Sequence, residues 1–303
     1  MSVTVRAAAK INLHLGVGPV HDDGYHPLAT VYQAIGLYDD VTVIEAPEWS
    51  VHTMADAHID VASVPVGATN LALRAGAALA AHHRVDRMAR VEIQKGIPVA
   101  GGLAGGSADA AATLVALDRL WDLHTSDEDL LAIAATLGSD VPFALLGGTA
   151  LGTGRGEQVV PVLDATAPWW VVVPHEIGLA TPAVYHHFDV LADRGSIVAA
   201  DPVSPEALLA ALAAGDHAAL AAALHNDLTP AAYGLRPDLA EREGVLREVG
   251  GDVVLLSGSG PTQLLLRPDA DSARAAARAL TDLGISHLLA PGPVAGCHVV
   301  SYA

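Results

Sequence analysis

A glycine-rich segment between a β-prone run and an amphipathic helical pattern constrains the fold of this chain more than any other feature. The β-prone run ends at Pro98, which has no backbone donor and so stops a sheet ladder. Glycines then follow in close succession: Gly101, Gly102, Gly105 and Gly106. From Ser107 an apolar stripe of helical period extends to Trp121. The pattern predicts a strand, a loop, and a helix that begins at Ser107.

Such a loop suits the binding of an anion. Glycine adopts positive φ angles and lets the backbone approach a ligand without a Cβ clash. The first N–H groups of the following helix have no intrahelical acceptors, and that end carries about +0.5 charge. The alternative is a tight turn with a close helix–strand contact. Small residues continue through Ser107, Ala108 and Ala110, and this density of small residues favours a phosphate site.

The spacing of the glycines excludes two common nucleotide-binding loops. A Walker A loop requires a lysine where this chain has Ser107, and the dinucleotide fingerprint requires a glycine where it has Leu103. A Rossmann oxidoreductase is therefore excluded on spacing.

The segment resembles PxxxGLxxSxA, the phosphate loop of the GHMP kinases, which include galactokinase and the homoserine, mevalonate and phosphomevalonate kinases. Pro98, Gly102, Leu103, Ser107 and Asp109 stand in the matching places. Two later stretches, LGSDVPF and LSGSGPT, also resemble family motifs. The resemblance implies that LSGSGPT, the third motif, lies beside the phosphate loop. The resemblance implies an α+β two-domain fold. The expected parts are a ribosomal-protein-S5-domain-2-like domain over residues 1–160 and a ferredoxin-like domain over residues 161–303.

The same resemblance implies that the loop binds the phosphates of ATP, with Mg2+ as the accompanying ion and its ligands open. The expected ATP-binding residues form one continuous run: Pro98, Val99, Ala100, Gly101, Gly102, Leu103, Ala104, Gly105, Gly106, Ser107 and Ala108. Ala100 and Ala104 replace glycines that are frequent in the family, and we expect them to narrow the backbone options of the loop.

Lys10 and Asp140 are the expected catalytic residues. Lys10 stands between two apolar residues of a β-prone run, where a lysine usually faces solvent, and Asp140 follows a predicted helix that ends at Gly138. A carboxylate beyond a helix C-terminus requires a cationic neighbour or serves a turn. The resemblance implies that Asp140 accepts the proton of the attacking hydroxyl, and that Lys10 keeps Asp140 ionised.

The acceptor site is expected near the segment HDDGYHP. From the residues alone, Tyr25 and His26 fit a base-binding face and a surface loop equally well. The pattern K-x-N-L-x-L followed by D-G-Y-H resembles the GHMP kinases whose acceptor is a cytidine-diphosphate-linked polyol. That resemblance implies substrate binding by Asn12, a hydrogen bond from His26 to cytosine, and stacking by Tyr25 and Tyr185. The alternatives are another GHMP acceptor, such as homoserine, mevalonate or a sugar, and a silent nucleotide-binding regulator.

The composition and net charge limit which binding partners and which cellular compartment we expect. The net charge of −18 and pI of about 5.0 argue against a nucleic-acid surface. They also favour magnesium-bound ATP over free ATP, because the field of the chain repels an uncompensated triphosphate. No apolar run reaches the ~18 residues of a membrane span, and Cys297 is the only cysteine. We expect a cytoplasmic protein with no membrane partner, and the sequence leaves its oligomeric state open.

Overall fold

The structure is a computed structural model that describes residues 1–55, 59–62, 64–99, 101–250 and 253–302. Its strands are β1 Ser2–Val17, β2 Leu28–Ala46, β3 Ser50–Ala55, β4 Met88–Lys95, β5 Thr149–Thr153, β6 Gln158–Pro161, β7 Trp169–Val173, β8 His225–Asn226, β9 Val254–Leu256, β10 Gln263–Arg267, β11 Leu288–Pro291 and β12 His298–Tyr302. Its helices are α1 Leu71–His83, α2 Gly105–Trp121, α3 Asp127–Leu137, α4 Val141–Leu146, α5 Thr181–Asp193, α6 Glu206–Ala214, α7 His217–Ala223, α8 Thr229–Leu235, α9 Pro237–Glu248 and α10 Ala270–Asp282.

A long antiparallel pair, β1 and β2, forms the centre of the larger sheet. Its path runs β12-β1-β2-β4-β3, with β5 on β2, β6 on β5, and β8 on β1. The pairing extends from Ser2 opposite Ile44 to Val17 opposite Leu28, and its register shifts between Ala8 and Ala9 and again between Asn12 and His14. α1 and α2 pack in the same core, where Leu114 is fully buried. This packing fixes the start of α2 beside the middle of β1.

The smaller sheet is the ferredoxin-like part of the chain. Its order is β11-β7-β10-β9, and every neighbouring pair is antiparallel. In chain order, a strand, several helices, two strands, a helix and a strand build it, as the sequence predicts. α10 covers it through Ala276 and Leu280. The predicted α+β class is therefore confirmed.

The last strand differs from the prediction. The sequence pattern predicts that the segment 294–302 is the final strand of the smaller sheet, whereas β11 takes that place and β12 pairs antiparallel with β1. The alternation of HVVSY marks a strand but carries no information about its partner, which lies almost 300 residues away in sequence. The division of the chain near residue 160 stays a prediction.

The segment after Asp140 also differs. The apolar sequence after Pro142 predicts a strand over Phe143–Leu146, whereas the structure has the helix α4 there. Pro142 lies in its first turn, where a missing N–H costs nothing, and the Phe-Ala-Leu-Leu stretch contains no β-branched residue. Asp140 therefore follows the end of α3 at Gly138, as predicted, and it is also the residue that directly precedes α4.

Candidate active site

Residues from both halves of the chain line one cavity of about 990 Å³. The sequence-predicted residues that it brings together outside the glycine loop are Lys10, Asn12, Tyr25, His26, Asp140 and Tyr185. The glycine loop lines the same cavity, as does the segment Gly258–Gly260. The predicted catalytic pair, phosphate loop and acceptor residues therefore share one space.

The phosphate loop ends in an open helix N-terminus. α2 begins at Gly105, two residues before the predicted start, and no side chain caps it. Its first N–H groups are therefore available to a ligand. Gly102 has φ +76°, and a Cβ there would lie 2.4 Å from the Ser257 carbonyl oxygen. Ala104 has φ +56°, a left-handed conformation that alanine rarely adopts.

The predicted loop residues take different positions relative to the cavity. Those that line it are Pro98, Val99, Gly101, Gly102, Ala104, Gly105 and Gly106. Leu103 and Ala108 are buried in the apolar core, and Ser107 is half-buried on the first turn of α2. Ala100 lies outside the described residues. The nucleotide roles of these residues stay predictions.

The two expected catalytic residues face each other. Lys10 Nζ lies 3.5 Å from Asp140 Oδ2, with Lys10 buried and the Asp140 side chain 30% exposed. Lys10 Nζ also donates to Asn12 Oδ1 at 2.8 Å. The backbone N–H of Lys10 donates to the Leu103 carbonyl at 3.2 Å, which ties β1 to the phosphate loop. The pair is thus held beside the loop by both side-chain and backbone contacts.

Asn12 acts within this network. Its amide accepts from Lys10 and donates to Thr30 Oγ1 at 2.8 Å, and Thr30 in turn donates to the His14 carbonyl. Both ends of the Asn12 amide are therefore engaged inside the protein. A direct contact between Asn12 and substrate stays a prediction.

Tyr32 is a cavity residue that the sequence analysis does not find. Its ring stacks on Phe143 at 4.9 Å, and Lys10 Nζ lies 5.5 Å from the ring centre. Burial and the charge of Asp140 raise the pKa of the Tyr32 phenol well above its ordinary value. A Cβ on Gly156 would lie 2.3 Å from the phenol oxygen, so this glycine leaves room for it. The Tyr32 phenol therefore stays uncharged and lines the cavity beside the Lys10–Asp140 pair.

The acceptor end of the cavity carries the predicted rings. His26 Nδ1 bonds the Gly18 carbonyl at 2.9 Å, and its Nε2 lies 3.6 Å from Asp189 Oδ1. The Tyr185 ring lies 5.0 Å from the His26 ring, whereas Tyr25 is 52% exposed at the mouth. Asp189 is a lining residue without a sequence signal. Its carboxylate adds a hydrogen-bond acceptor at this end of the cavity.

A buried ion cluster beneath the loop is the main feature that the sequence analysis misses. Lys95 Nζ lies 2.5 Å from Asp39 Oδ2 and 2.8 Å from Asp109 Oδ2. Asp39 Oδ1 accepts the N–H groups of Gly96 and Ile97. A Cβ on Gly105 would lie 3.1 Å from Lys95 Nζ, so the cluster touches the start of α2. It therefore supports the loop from the core side.

The charges of this cluster do not balance, because one ammonium faces two carboxylates. Burial and the charge of Asp39 raise the pKa of Asp109 to about 8, against the opposing effect of Lys95. Burial lowers the pKa of Lys95, but the charges of Asp109 and Asp39 outweigh it and raise that pKa. Asp109 Oδ1 is buried and has no hydrogen-bond partner among the described residues. The sequence contains one sign of this cluster. Along β4 every second side chain is buried, and Lys95 occupies the next such position after Val91 and Ile93.

The third motif braces the loop from the other side. Ser257 Oγ donates to the Gly102 carbonyl at 3.1 Å. Asn226 Nδ2 donates to the carbonyls of Leu256 and Gly258 and so holds the turn in place. A Cβ on Gly258 would lie 3.3 Å from Asn12 Oδ1. The expectation that this motif lies beside the phosphate loop is confirmed.

The described residues contain no group of three or more histidine, cysteine, aspartate or glutamate side chains that could hold a metal ion. Asp109 nevertheless lines the cavity near the start of α2, and its buried Oδ1 has no partner among the described residues. Mg2+ bound with a nucleotide takes one or two carboxylates, phosphate oxygens and waters. This donor set fits a magnesium ion carried by a nucleotide and does not fit an all-protein metal cage. Separately, the part of the chain that the structure describes has no helix of the length and apolarity needed to cross a membrane.

Two family descriptions match the chain. Residues 70–148 match "GHMP kinases N terminal domain", and residues 208–286 match "GHMP kinases C terminal". The first match contains the phosphate loop and Asp140.

Relatives match along the full length. A 4-diphosphocytidyl-2-C-methyl-D-erythritol kinase from a Nocardioides species is 59% identical over 99% of this chain and 100% of its own length. The enzyme of that name from Streptomyces avermitilis is 48% identical over 99% of this chain and 100% of its own.

Solved structures agree in fold. A crystal structure of 4-(cytidine 5'-diphospho)-2C-methyl-D-erythritol kinase superposes with a TM-score of 0.76 at 32% identity, over 97% of this chain and 100% of that one. L. major mevalonate kinase in complex with R-mevalonate gives a TM-score of 0.74 at 17% identity, over 96% of each chain. This second likeness concerns the fold alone.

Proposed function

The chain belongs to the GHMP kinases, and from that premise we propose that it transfers the γ-phosphate of ATP to the 2-hydroxyl of 4-diphosphocytidyl-2-C-methyl-D-erythritol. The reaction belongs to the methylerythritol phosphate route to isoprenoid precursors. The observation that carries the proposal is the Lys10–Asp140 pair, 3.5 Å apart, in one cavity with the glycine loop and with Tyr25 and Tyr185. Full-length relatives with this activity in their names support the choice of acceptor.

The proton and phosphoryl steps follow from the pair. Asp140 accepts the proton of the 2-hydroxyl, the freed oxygen attacks the γ-phosphorus, and ADP leaves with the electrons of the broken bond. Lys10 favours the ionised form of Asp140 through its opposite charge and stabilises the charge on the transferring group. A general base contributes about 10²–10⁴-fold, and correct placement of the reactants supplies much of the rest.

The nucleotide occupies the loop side of the cavity. Backbone N–H groups at the start of α2 bind the phosphates, where no side-chain cap competes. The support from Lys95 below and from Ser257 beside the loop fixes the path of the backbone. The loop is therefore preorganised before the nucleotide arrives.

The acceptor occupies the side with the aromatic rings. Tyr25 and Tyr185 stack on the cytosine, and His26 hydrogen-bonds its polar edge. Stacking of a base on an aromatic side chain contributes about 1–3 kcal/mol. Cytidine recognition separates this acceptor from homoserine, mevalonate and simple sugars, which carry no aromatic base to stack.

The proposal includes a magnesium ion bound together with the nucleotide. The free Oδ1 of Asp109 is the protein atom that would hold it, with phosphate oxygens completing the set. When bound, the ion neutralises charge on the triphosphate in a chain of net charge −18. We further place the protein in the cytoplasm and divide it into domains at residues 1–160 and 161–303.

A coupled assay of ADP release tests the proposed function. The purified chain is given ATP with 4-diphosphocytidyl-methylerythritol, homoserine, mevalonate or galactose, each with and without magnesium. We expect ADP release that depends on the cytidine-bearing acceptor and on magnesium. ADP release with a different acceptor would assign the chain another GHMP kinase activity. If no acceptor leads to ADP release, the result supports the silent nucleotide-binding regulator.

A further inference from the structure

An arginine that no motif marks covers one face of Tyr25. The Arg155 guanidinium carbon lies 3.6 Å from the centre of the Tyr25 ring. Asp23 joins the two residues, because its Oδ2 accepts from Arg155 Nη2 at 2.8 Å and its Oδ1 accepts from the Tyr25 backbone N–H at 3.0 Å. The opposite ring face stays available to a base, since Tyr25 is 52% exposed and lines the cavity.

The turn that carries Arg155 is fixed. It connects β5 to β6, and its flanking residues Gly154 and Gly156 have φ +70° and +100°. The Leu28 N–H donates to the Gly154 carbonyl at 2.8 Å, and the Arg155 N–H donates to Glu157 Oε2 at 2.7 Å. These bonds aim the arginine side chain at the Tyr25 ring from one side of the cavity.

The cationic side chains that line the cavity differ in how far they are already paired with carboxylates. Among the described lining residues, three are lysines or arginines: Lys10, Lys95 and Arg155. Lys10 faces Asp140 at the proposed reaction centre, and Lys95 is buried between two carboxylates. Arg155 gives one N–H to Asp23 among the described residues, and its side chain is 47% exposed. Most of its five N–H donors therefore have no acceptor in the described chain, and the residue lines the cavity beside Tyr25.

We propose that Arg155 binds the diphosphate group of the acceptor while its guanidinium backs the ring on which the cytosine stacks. The inference rests on the proposed function, because it assumes a cytidine diphosphate at this end of the cavity. A guanidinium presents its donors in a planar fork that matches phosphate oxygens. The acceptor end also carries the carboxylates of Asp189 and Asp23, so a diphosphate there needs a cation whose donors are not all engaged.

Binding of two dead-end ligands, cytidine and CDP, separates the diphosphate contact from the ring contact. Isothermal calorimetry on the full chain measures both ligands with wild type, Arg155→Gln and Arg155→Lys. We expect wild type to prefer CDP, and Arg155→Gln to lose about tenfold in CDP affinity, or about 1.4 kcal/mol. Its cytidine affinity should stay within about twofold of wild type. Arg155→Lys should keep part of the preference, because it keeps the charge and loses the fork.

Arg87→Gln is the matched control. Arg87 also lies over an aromatic ring, Trp121, and pairs with a carboxylate, Glu45, outside the cavity. It should leave both affinities at the wild-type level.

An unchanged CDP preference in Arg155→Gln overturns the inference, as does an equal loss for cytidine and CDP, which would make Arg155 a support for Tyr25 only. If wild type binds neither ligand, the proposed acceptor is wrong and the inference falls with it. Melting curves of each variant check that the chain stays folded.

Discussion

Removal of the Lys95 ammonium should destabilise the protein in a pH-dependent way. Lys95→Met replaces the buried cation with an apolar side chain of similar length and leaves Asp39 and Asp109 facing each other without it. Breaking a buried ion pair by deleting one partner costs about 3–5 kcal/mol. Burial and the charge of Asp39 already raise the pKa of Asp109 against the effect of Lys95, so the loss of Lys95 raises that pKa further and favours the protonated carboxyl. The remaining negative charge then determines the cost.

Protonation sets an upper bound on that cost. An aspartate of ordinary pKa, about 3.9, takes up a proton at pH 7 for about 4 kcal/mol, and at pH 5 for about 1.5 kcal/mol. The folded variant thus binds more protons than its unfolded chain in this range, so its stability falls as pH rises. We expect a loss of about 3–4 kcal/mol at pH 7 that shrinks to about 1–2 kcal/mol at pH 5.

Urea unfolding followed by circular dichroism, in metal-free buffer at both pH values, measures this loss. Arg6→Met is the matched control, because Arg6 pairs with Asp40 at 2.8 Å on the surface, with side chains 41% and 30% exposed. That pair should contribute at most about 1 kcal/mol. A Lys95→Met loss below about 1 kcal/mol, or one that grows at low pH, would refute the account of the cluster.

Two further substitutions test the acceptor pocket and the loop. Tyr25→Ala should raise the KM for the cytidine-bearing acceptor by about 5- to 150-fold, since stacking contributes about 1–3 kcal/mol per base, and it should leave the KM for ATP unchanged. Steady-state kinetics with each substrate varied in turn checks this. A larger effect on the KM for ATP would mean that the nucleotide and the acceptor occupy the opposite sides of the cavity. Ala104→Gly should stabilise the chain by about 0.5–1 kcal/mol. It removes the cost of about 1–2 kcal/mol for alanine at φ +56°, but glycine loses about 0.5–1 kcal/mol more conformational entropy than alanine on folding. Thermal melting measures the second effect, and an unchanged or lower Tm would contradict the strain at this position.

The local parts of the site are predictable because their signals are local. The glycine loop and α2 follow from spacing and apolar period within about thirty residues, and the helix start is wrong by only two residues. Lys10 and Asp140 are separated by 130 positions, and only the resemblance of their segments to a family joins them. The structure places them 3.5 Å apart.

The remaining parts depend on long-range packing. Burial of Lys95 is favourable only because Asp39 on β2 and Asp109 on α2 pair with it in the folded chain. Without those long-range contacts, a lysine is expected to be exposed to solvent. The pairing of β12 with β1 likewise depends on the whole chain. Arg155 carries no motif, and its position over Tyr25 depends on the pairing of β5 with β2.

A single-turnover experiment measures phosphoryl transfer with and without the Asp140 carboxylate. Wild type and Asp140→Asn are mixed with magnesium, ATP and 4-diphosphocytidyl-methylerythritol, quenched at intervals, and analysed for ADP and phosphorylated acceptor. Wild type should form the two products in equal amounts. Asp140→Asn should bind ATP with unchanged affinity and transfer the phosphoryl group about 10²–10⁴-fold more slowly. A wild-type rate in Asp140→Asn, or ADP without phosphorylated acceptor in wild type, would contradict the account.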